Sequence, residues 1–158
     1  MANQTLEQEV GALLRHRRET LALAESCTGG LLGHRVTNVP GASEYFLGSV
    51  IAYSYEAKER VLNVHHETLY THGAVSRETV LEMARGVRQV MSSDIGLAVT
   101  GIAGPSGGLP GKPIGLTWVA ISSRRGEWSE HYQFTGDREA NKAAAAEAAL
   151  TLLIKSMT

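Results

Sequence analysis

TLALAESCTGGLLGHRVTNV, residues 20–39, is the stretch on which the fold turns. Residues 20–25 are short and apolar, the composition of a buried strand. After Gly29-Gly30, residues 31–39 return to helical spacing, which Pro40-Gly41 ends. Between strand and helix lies AESCTGG (24–30), a hydroxyl, a thiol and a second hydroxyl ahead of two glycines. Such a turn holds a side chain rigidly at the end of a strand and places the unpaired N–H groups of a helix start beside it.

The same alternation continues on both sides. Residues 5–18 carry Leu6, Val10, Leu13 and Leu14 at helical spacing. Residues 45–54 are aromatic and β-branched, a strand. Residues 56–64 and 66–73 read as short helices, the second closed by Gly73. Ser76 caps a longer helix, in which Val80, Met83, Ala84, Val87 and Val90 are expected to share one face. Residues 95–100 are a strand. The segment 101–115, with six glycines and three prolines, cannot be regular structure. Residues 116–122 and 128–134 are strands joined at Arg124-Arg125-Gly126, with Trp128, Tyr132 and Phe134 on one side. An Ala-rich helix, 139–155, closes the chain. There is no repeat, linker or second domain. Residues 1–158 are therefore expected to form one α/β domain, a three-layer α/β/α sandwich on a mixed sheet.

Composition narrows the function. At 158 residues with a net charge of −1, the chain is no strongly electrostatic nucleic-acid binder. A single cysteine excludes an intrachain disulfide and a cysteine-based zinc cluster. No apolar run approaches the ~20 residues of a membrane helix. The N-terminus lacks a basic segment followed by an apolar one, so no secretory signal is read and a cytoplasmic protein is expected.

Four places could carry chemistry. Ser26 stands where a nucleophile would, yet a serine before a helix usually only caps it. The G-x-S-x-G elbow is absent. Cys27 competes, but a lone cysteine with no histidine related to it in sequence is more often a packed hydrophobe. Lys58, in AYSYEAKER (52–60), could serve as a base if desolvation neutralised it; composition alone favours a solvated helix lysine. Ser49, Tyr55 and Lys58 echo the Ser-Tyr-Lys set of short-chain dehydrogenases, but no dinucleotide fingerprint precedes them and that reading is rejected. The loop 101–115 could cradle an anion on successive N–H groups, without the spacing of an NTPase loop. Arg138, beside the helix cap Asp137, is free to hold an anion or a structural carboxylate.

Taken together, AESCTGG (24–30), AYSYEAK (52–58), HGAVS (72–76), GIAGPSGG (101–108), KPIG (112–115) and GDRE (136–139) resemble, in this order, the C-terminal domain of CinA and the stand-alone nicotinamide-nucleotide amidohydrolases. Full-length CinA carries a further N-terminal domain for which this sequence has no room, so the stand-alone form is expected. The resemblance implies hydrolysis of nicotinamide mononucleotide to nicotinate mononucleotide and ammonia, on a three-layer α/β/α fold. It places the nucleophile at Ser26 and the base at Lys58, with Tyr53 as the family's tyrosine. Oxyanion donors are expected around Thr28, Gly29 and Gly30. Thr100, Gly101, Gly104, Gly107, Gly108, Lys112 and Arg138 are expected to bind the nucleotide. No metal or cofactor is implied, and a homo-oligomer, a dimer above others, is expected. Tyr55, Ser49 and Lys142 depart from the family's usual Asn, Gly and Arg. The alternatives are a non-catalytic nucleotide-binding module and an amidase for another small amide.

Overall fold

The computed structural model describes residues 2–158. Helix α1 (Leu6–Arg17) starts with a reciprocal cap: Gln8 N–H donates to the Thr5 hydroxyl and Thr5 N–H to the Gln8 side chain. Strand β1 (Leu21–Glu25) leads through the glycine turn into α2 (Leu31–Thr37), and a 3₁₀ turn (Ala42–Glu44) precedes β2 (Phe46–Ile51). Helices α3 (Tyr55–Leu62), α4 (His66–His72) and α5 (Arg77–Met91) follow, then β3 (Ile95–Gly101). After the glycine-rich loop come β4 (Leu116–Ser123), β5 (Gly126–Gln133) and the long closing helix α6 (Arg138–Met157).

The five strands form one mixed sheet in the order β2-β1-β3-β4-β5. β1 lies parallel to both β2 and β3, while β4 and β5 run antiparallel as a hairpin. Strand periodicity divides the side chains into two cores. Leu21, Leu23, Ile95, Leu97 and Val99 face α1, α2 and α6. Ala22, Ala24, Ala98 and Ala120 face α3, α4 and α5. Those small residues let α5 lie directly on the sheet: a Cβ on Gly96 would stand 2.1 Å from the Ala84 carbonyl oxygen. The outcome is the three-layer sandwich read from the sequence.

One expected core position is corrected. Val90 is 47% exposed, and Met91 packs against the core in its place. At 3.6 residues per turn, the face through Val80, Met83, Ala84 and Val87 continues to Met91. No described helix is long and apolar enough to cross a membrane.

The topology brings three chain segments to one place. The carboxyl ends of parallel β1, β2 and β3 lead to Ser26, to Ala52-Tyr53 and to Thr100-Gly101, all on the same edge of the sheet. Ligands in open α/β sheets are bound outside the carboxyl ends of the strands.

Candidate active site

Ser26 is the first residue beyond β1, and its N–H donates to the Val99 carbonyl of the neighbouring strand at 3.1 Å. The backbone beneath the hydroxyl is thereby part of the sheet. Lys58 comes from the second turn of α3, whose start is capped by Ser54 accepting from Ala57 N–H. Its side chain is fully buried. The Lys58 Nζ is 2.9 Å from Ser26 Oγ, 2.8 Å from the Ala52 carbonyl oxygen and 3.0 Å from that of Tyr53.

Two of these three partners are carbonyls, which can only accept. They take two N–H bonds and fix the orientation of the amine. The remaining direction points at Ser26 Oγ. In the ammonium form it carries a third N–H; in the neutral amine it carries the lone pair. No carboxylate among the described residues forms an ion pair with Lys58. Burial therefore penalises the charge, and the Lys58 pKa is lowered to about 8. The surface-lysine reading is overturned.

Cys27, the neighbour of Ser26, is buried in the core that faces α6. Burial pushes its thiol up to about 12, so no reactive thiolate forms near neutral pH. Packing explains this residue.

Glu25 is the residue that sequence reasoning missed. It is fully buried. One carboxylate oxygen accepts from Thr28 Oγ at 2.6 Å, Gly30 N–H at 3.1 Å and Leu32 N–H at 2.9 Å. The other accepts from Gly33 N–H at 3.0 Å and Ser49 Oγ at 2.6 Å. The carboxylate thus caps α2 from the strand before it, where the helix terminus favours negative charge. The departure Ser49 joins this network.

That network corrects the expected oxyanion donors. Gly30 N–H is already bound to Glu25 and Gly29 N–H donates to the Ser26 carbonyl; the Thr28 hydroxyl is also bound to Glu25, while its N–H donates to no other described residue. Gly29 and Gly30 adopt φ of +60° and +105°, so glycine is required there to shape the turn. None of the three lines the pocket. The N–H groups of Cys27 and Ala103, which do line it, donate to no other described residue.

The pocket over Ser26 and Lys58 has a volume of about 160 Å³. Thr100, Gly101, Ala103 and the Ala74-Val75 segment wall it, with Tyr53 and Arg138 at its rim. Thr100 Oγ donates to the Ala74 carbonyl at 2.9 Å, tying the wall to β3. Tyr53 serves Lys58 through its main chain; its hydroxyl accepts from Arg138 at 3.2 Å. Arg138 also donates to the Gly104 carbonyl at 2.7 Å, so it braces the loop. Asn141, also unforeseen, is buried and donates to the Ala103 carbonyl at 3.0 Å. A lone Asn at the head of an Ala-rich helix face was the available signal. Gly104, Gly107, Gly108 and Lys112 do not line this pocket, and Gly104 lies in the adjoining cleft. Lys112 donates instead to the His72 carbonyl, in a neighbouring cleft. The departure Tyr55 accepts from Ala74 N–H at 3.3 Å, behind the pocket wall, and Lys142 stands beside Gly29.

Fold and site together define a class: a three-layer α/β protein with a serine and a desolvated lysine paired at the carboxyl end of its parallel strands. The chain belongs to the CinA C-terminal domain family, whose sequence pattern matches residues 3–157. It is 48% identical over 146 residues to a CinA-like protein of Salinibacter ruber, covering 92% of this chain and 35% of that protein. Identity to a CinA-like protein of Thermotoga maritima is 46% over 153 residues, covering 97% and 37%. The chain thus spans little more than a third of these curated relatives. Solved structures resemble it over nearly their full length. A CinA superfamily protein from Klebsiella pneumoniae, 36% identical, superposes with a TM-score of 0.94 over 99% of this chain and 98% of its own. One from Escherichia coli, 31% identical, gives 0.91 over 99% and 93%.

Proposed function

We propose that the protein is a Ser/Lys amidohydrolase that converts nicotinamide mononucleotide to nicotinate mononucleotide and ammonia. The observation that carries this reading is the buried Lys58–Ser26 pair, 2.9 Å apart, with the lysine lowered to about 8. A base poised near the working pH and already in hydrogen-bond reach of a hydroxyl is the arrangement that activates a serine.

Neutral Lys58 takes the Ser26 proton as Oγ adds to the carboxamide carbon. Cys27, Tyr53, Val75 and Ala103 line the pocket with N–H groups that donate to no other described residue, and of these Cys27, next to Ser26 in the chain, and Ala103 are assigned to the resulting oxyanion. Lys58, now protonated, gives its proton to the departing amide nitrogen and ammonia leaves. Water, deprotonated by Lys58, then adds to the acyl carbon; Lys58 returns that proton to the departing Ser26 Oγ, and the nicotinate product leaves as its carboxylate. The pocket of about 160 Å³ suits a pyridine carboxamide and leaves the ribose and phosphate outside.

Ammonia release from nicotinamide mononucleotide, measured with wild type and Ser26→Ala, tests the proposal. Turnover by wild type and none by the variant is expected. Binding of the nucleotide without release would make the protein a binding module. Release from other small amides alone would reassign the substrate.

A further inference from the structure

One wall of the Ser26 pocket comes from the short link between α4 and α5, residues 73–76, which supplies Ala74 and Val75. A segment outside helix and sheet keeps its place only if its main-chain groups find partners. The Gly73 N–H donates to the Leu69 carbonyl at 2.8 Å, and the Gly73 carbonyl accepts from the hydroxyls of Ser76 and Thr79 at 2.9 and 2.7 Å. The Ala74 carbonyl accepts from Thr100. Among the described residues the Ala74 N–H has one partner, the Tyr55 hydroxyl at 3.3 Å.

Tyr55 delivers that hydroxyl from a fixed ring. It opens α3 three residues before Lys58, so neighbouring positions on one helix carry the base and the group that braces the wall. Its ring packs edge to face with that of Tyr70, centroids 5.2 Å apart, and Tyr70 stacks on His66 at 4.3 Å. Tyr55 also packs against the core beneath α5. The asparagine usual at this position in the family is shorter and has no ring, so the brace belongs to chains that carry a tyrosine here.

We infer that Tyr55 is a positioning residue that sets which amides the pocket accepts: its hydroxyl holds the Ala74–Val75 wall against the reacting carboxamide and so selects a primary amide over an N-substituted one. The inference rests on the amidohydrolase reading, and its test separates the two. With the carbonyl carbon at Ser26 Oγ and its oxygen at the N–H groups of Cys27 and Ala103, the ring extends to the mouth. The amide nitrogen then faces Lys58 and the wall. In a pocket of about 160 Å³, a methyl group on that nitrogen fits only if the wall recedes. Removing the Tyr55 hydroxyl leaves the Ala74 N–H without its partner, and an unsatisfied donor draws its segment toward water.

The experiment compares wild type, Tyr55→Phe, Tyr55→Asn and, as a control, Tyr70→Phe, which takes a hydroxyl from the exposed ring of the same pair. Each is checked for folding by circular dichroism. The kcat/KM values of nicotinamide mononucleotide and of its N-methylcarboxamide analogue are measured by formation of nicotinate mononucleotide. Wild type should prefer the primary amide by roughly a hundredfold, within the range one misplaced methyl group commands. Tyr55→Phe should lower that preference by about tenfold, since only the hydroxyl is lost. Tyr55→Asn should lower it in the same direction, and it decides if Tyr55→Phe fails to fold. Tyr70→Phe should leave the preference nearly unchanged. Lys58 and Ser26 are untouched, so kcat/KM should still level off near pH 8. A purely structural role would weaken both substrates equally. A wild type without preference, a preference unchanged in the Tyr55 variants or lowered as far in Tyr70→Phe, or a displaced pH profile overturns the inference. Should wild type hydrolyse neither nucleotide, the reaction reading fails and their affinities by calorimetry take the place of kcat/KM. A preference that only the Tyr55 variants lower would then uphold the brace; equal affinities, no binding or an unchanged preference would refute it.

Discussion

Glu25 and Lys58 are both fully buried ionisable side chains, one residue and one hydrogen bond away from Ser26, yet their surroundings are opposite. Glu25 accepts five hydrogen bonds, three of them from the N–H groups of one helix start. Every partner is a donor, the role an ionised carboxylate is built to meet. Lys58 has two carbonyls, one hydroxyl and no counter-ion. A buried charge that is fully solvated by the protein becomes scaffold. One that is only partly solvated stays ready to lose its proton, which is what general-base chemistry requires. The difference lies in the number and kind of partners, since depth is the same.

The comparison can be broken most decisively at Ser26, which follows Glu25 in the chain and takes its hydrogen bond from Lys58. Ser26→Ala should lower ammonia release by on the order of 10⁴ or more while leaving the melting temperature nearly unchanged. Activity within tenfold of wild type would mean that neither buried group serves a nucleophile at this position.

Lys58→Arg should be nearly as inactive, because guanidinium does not deprotonate in proteins. With lysine present, kcat/KM should climb about tenfold per pH unit below about 8 and level off above it, following the neutral amine. Stability moves the same way. The ordinary value of 10.5 is lowered to about 8 on folding, so the unfolded chain binds the extra proton between these pH values. Unfolding free energy therefore rises with pH across that window, and below it the full cost of roughly 3 kcal/mol is present. Lys58→Met removes that cost and strips Ala52 and Tyr53 of a donor, so a net gain of ~1–2 kcal/mol at pH 7 is expected from denaturant titration. The gain should disappear as pH approaches 10.5. A variant that is less stable than wild type at pH 7 would place Lys58 on the scaffold side of the comparison.

Glu25→Gln tests the other side. It keeps the shape but turns one oxygen into a donor facing donors, so a loss of about 3 kcal/mol is expected. No alkaline recovery should accompany it. The smallest effect belongs to Cys27→Ala, which loses a small packed group: about 1–2 kcal/mol of stability and activity within a few-fold of wild type. A dead Cys27→Ala would reverse the choice of nucleophile.

How much of this was legible follows from what each residue's signal is. Strand and helix order came through because periodicity and glycine or proline breaks are local. The 101–115 segment could be read as irregular, but its course depends on Asn141 and Arg138, which arrive from more than thirty residues away. The Ser26–Lys58 pair came from resemblance; on composition Lys58 was a surface residue, because nothing near it in sequence reveals that α3 buries it. Glu25 was overlooked since a charged residue ending an apolar strand looks like its exit into solvent. The structure continues the burial past it, and the main-chain donors it meets lie five to eight residues further on. The donor assigned to Gly30 failed for the same reason, since the residue that consumes it had not been recognised, while the Gly29 N–H is taken by the turn itself, at the Ser26 carbonyl.

The anchors of the reacting pair are themselves informative about inheritance. Ser26 is pinned through its amide to Val99, and Lys58 through the carbonyls of Ala52 and Tyr53; all are main-chain groups, present whatever side chain a position carries. Mutational drift at positions 52, 53 and 99 leaves those anchors in place so long as the strands keep their register. The departures at Ser49, Tyr55 and Lys142 sit outside this frame. The geometry of the pair is therefore robust to sequence divergence, and lineages are free to remodel the rim without rebuilding the centre.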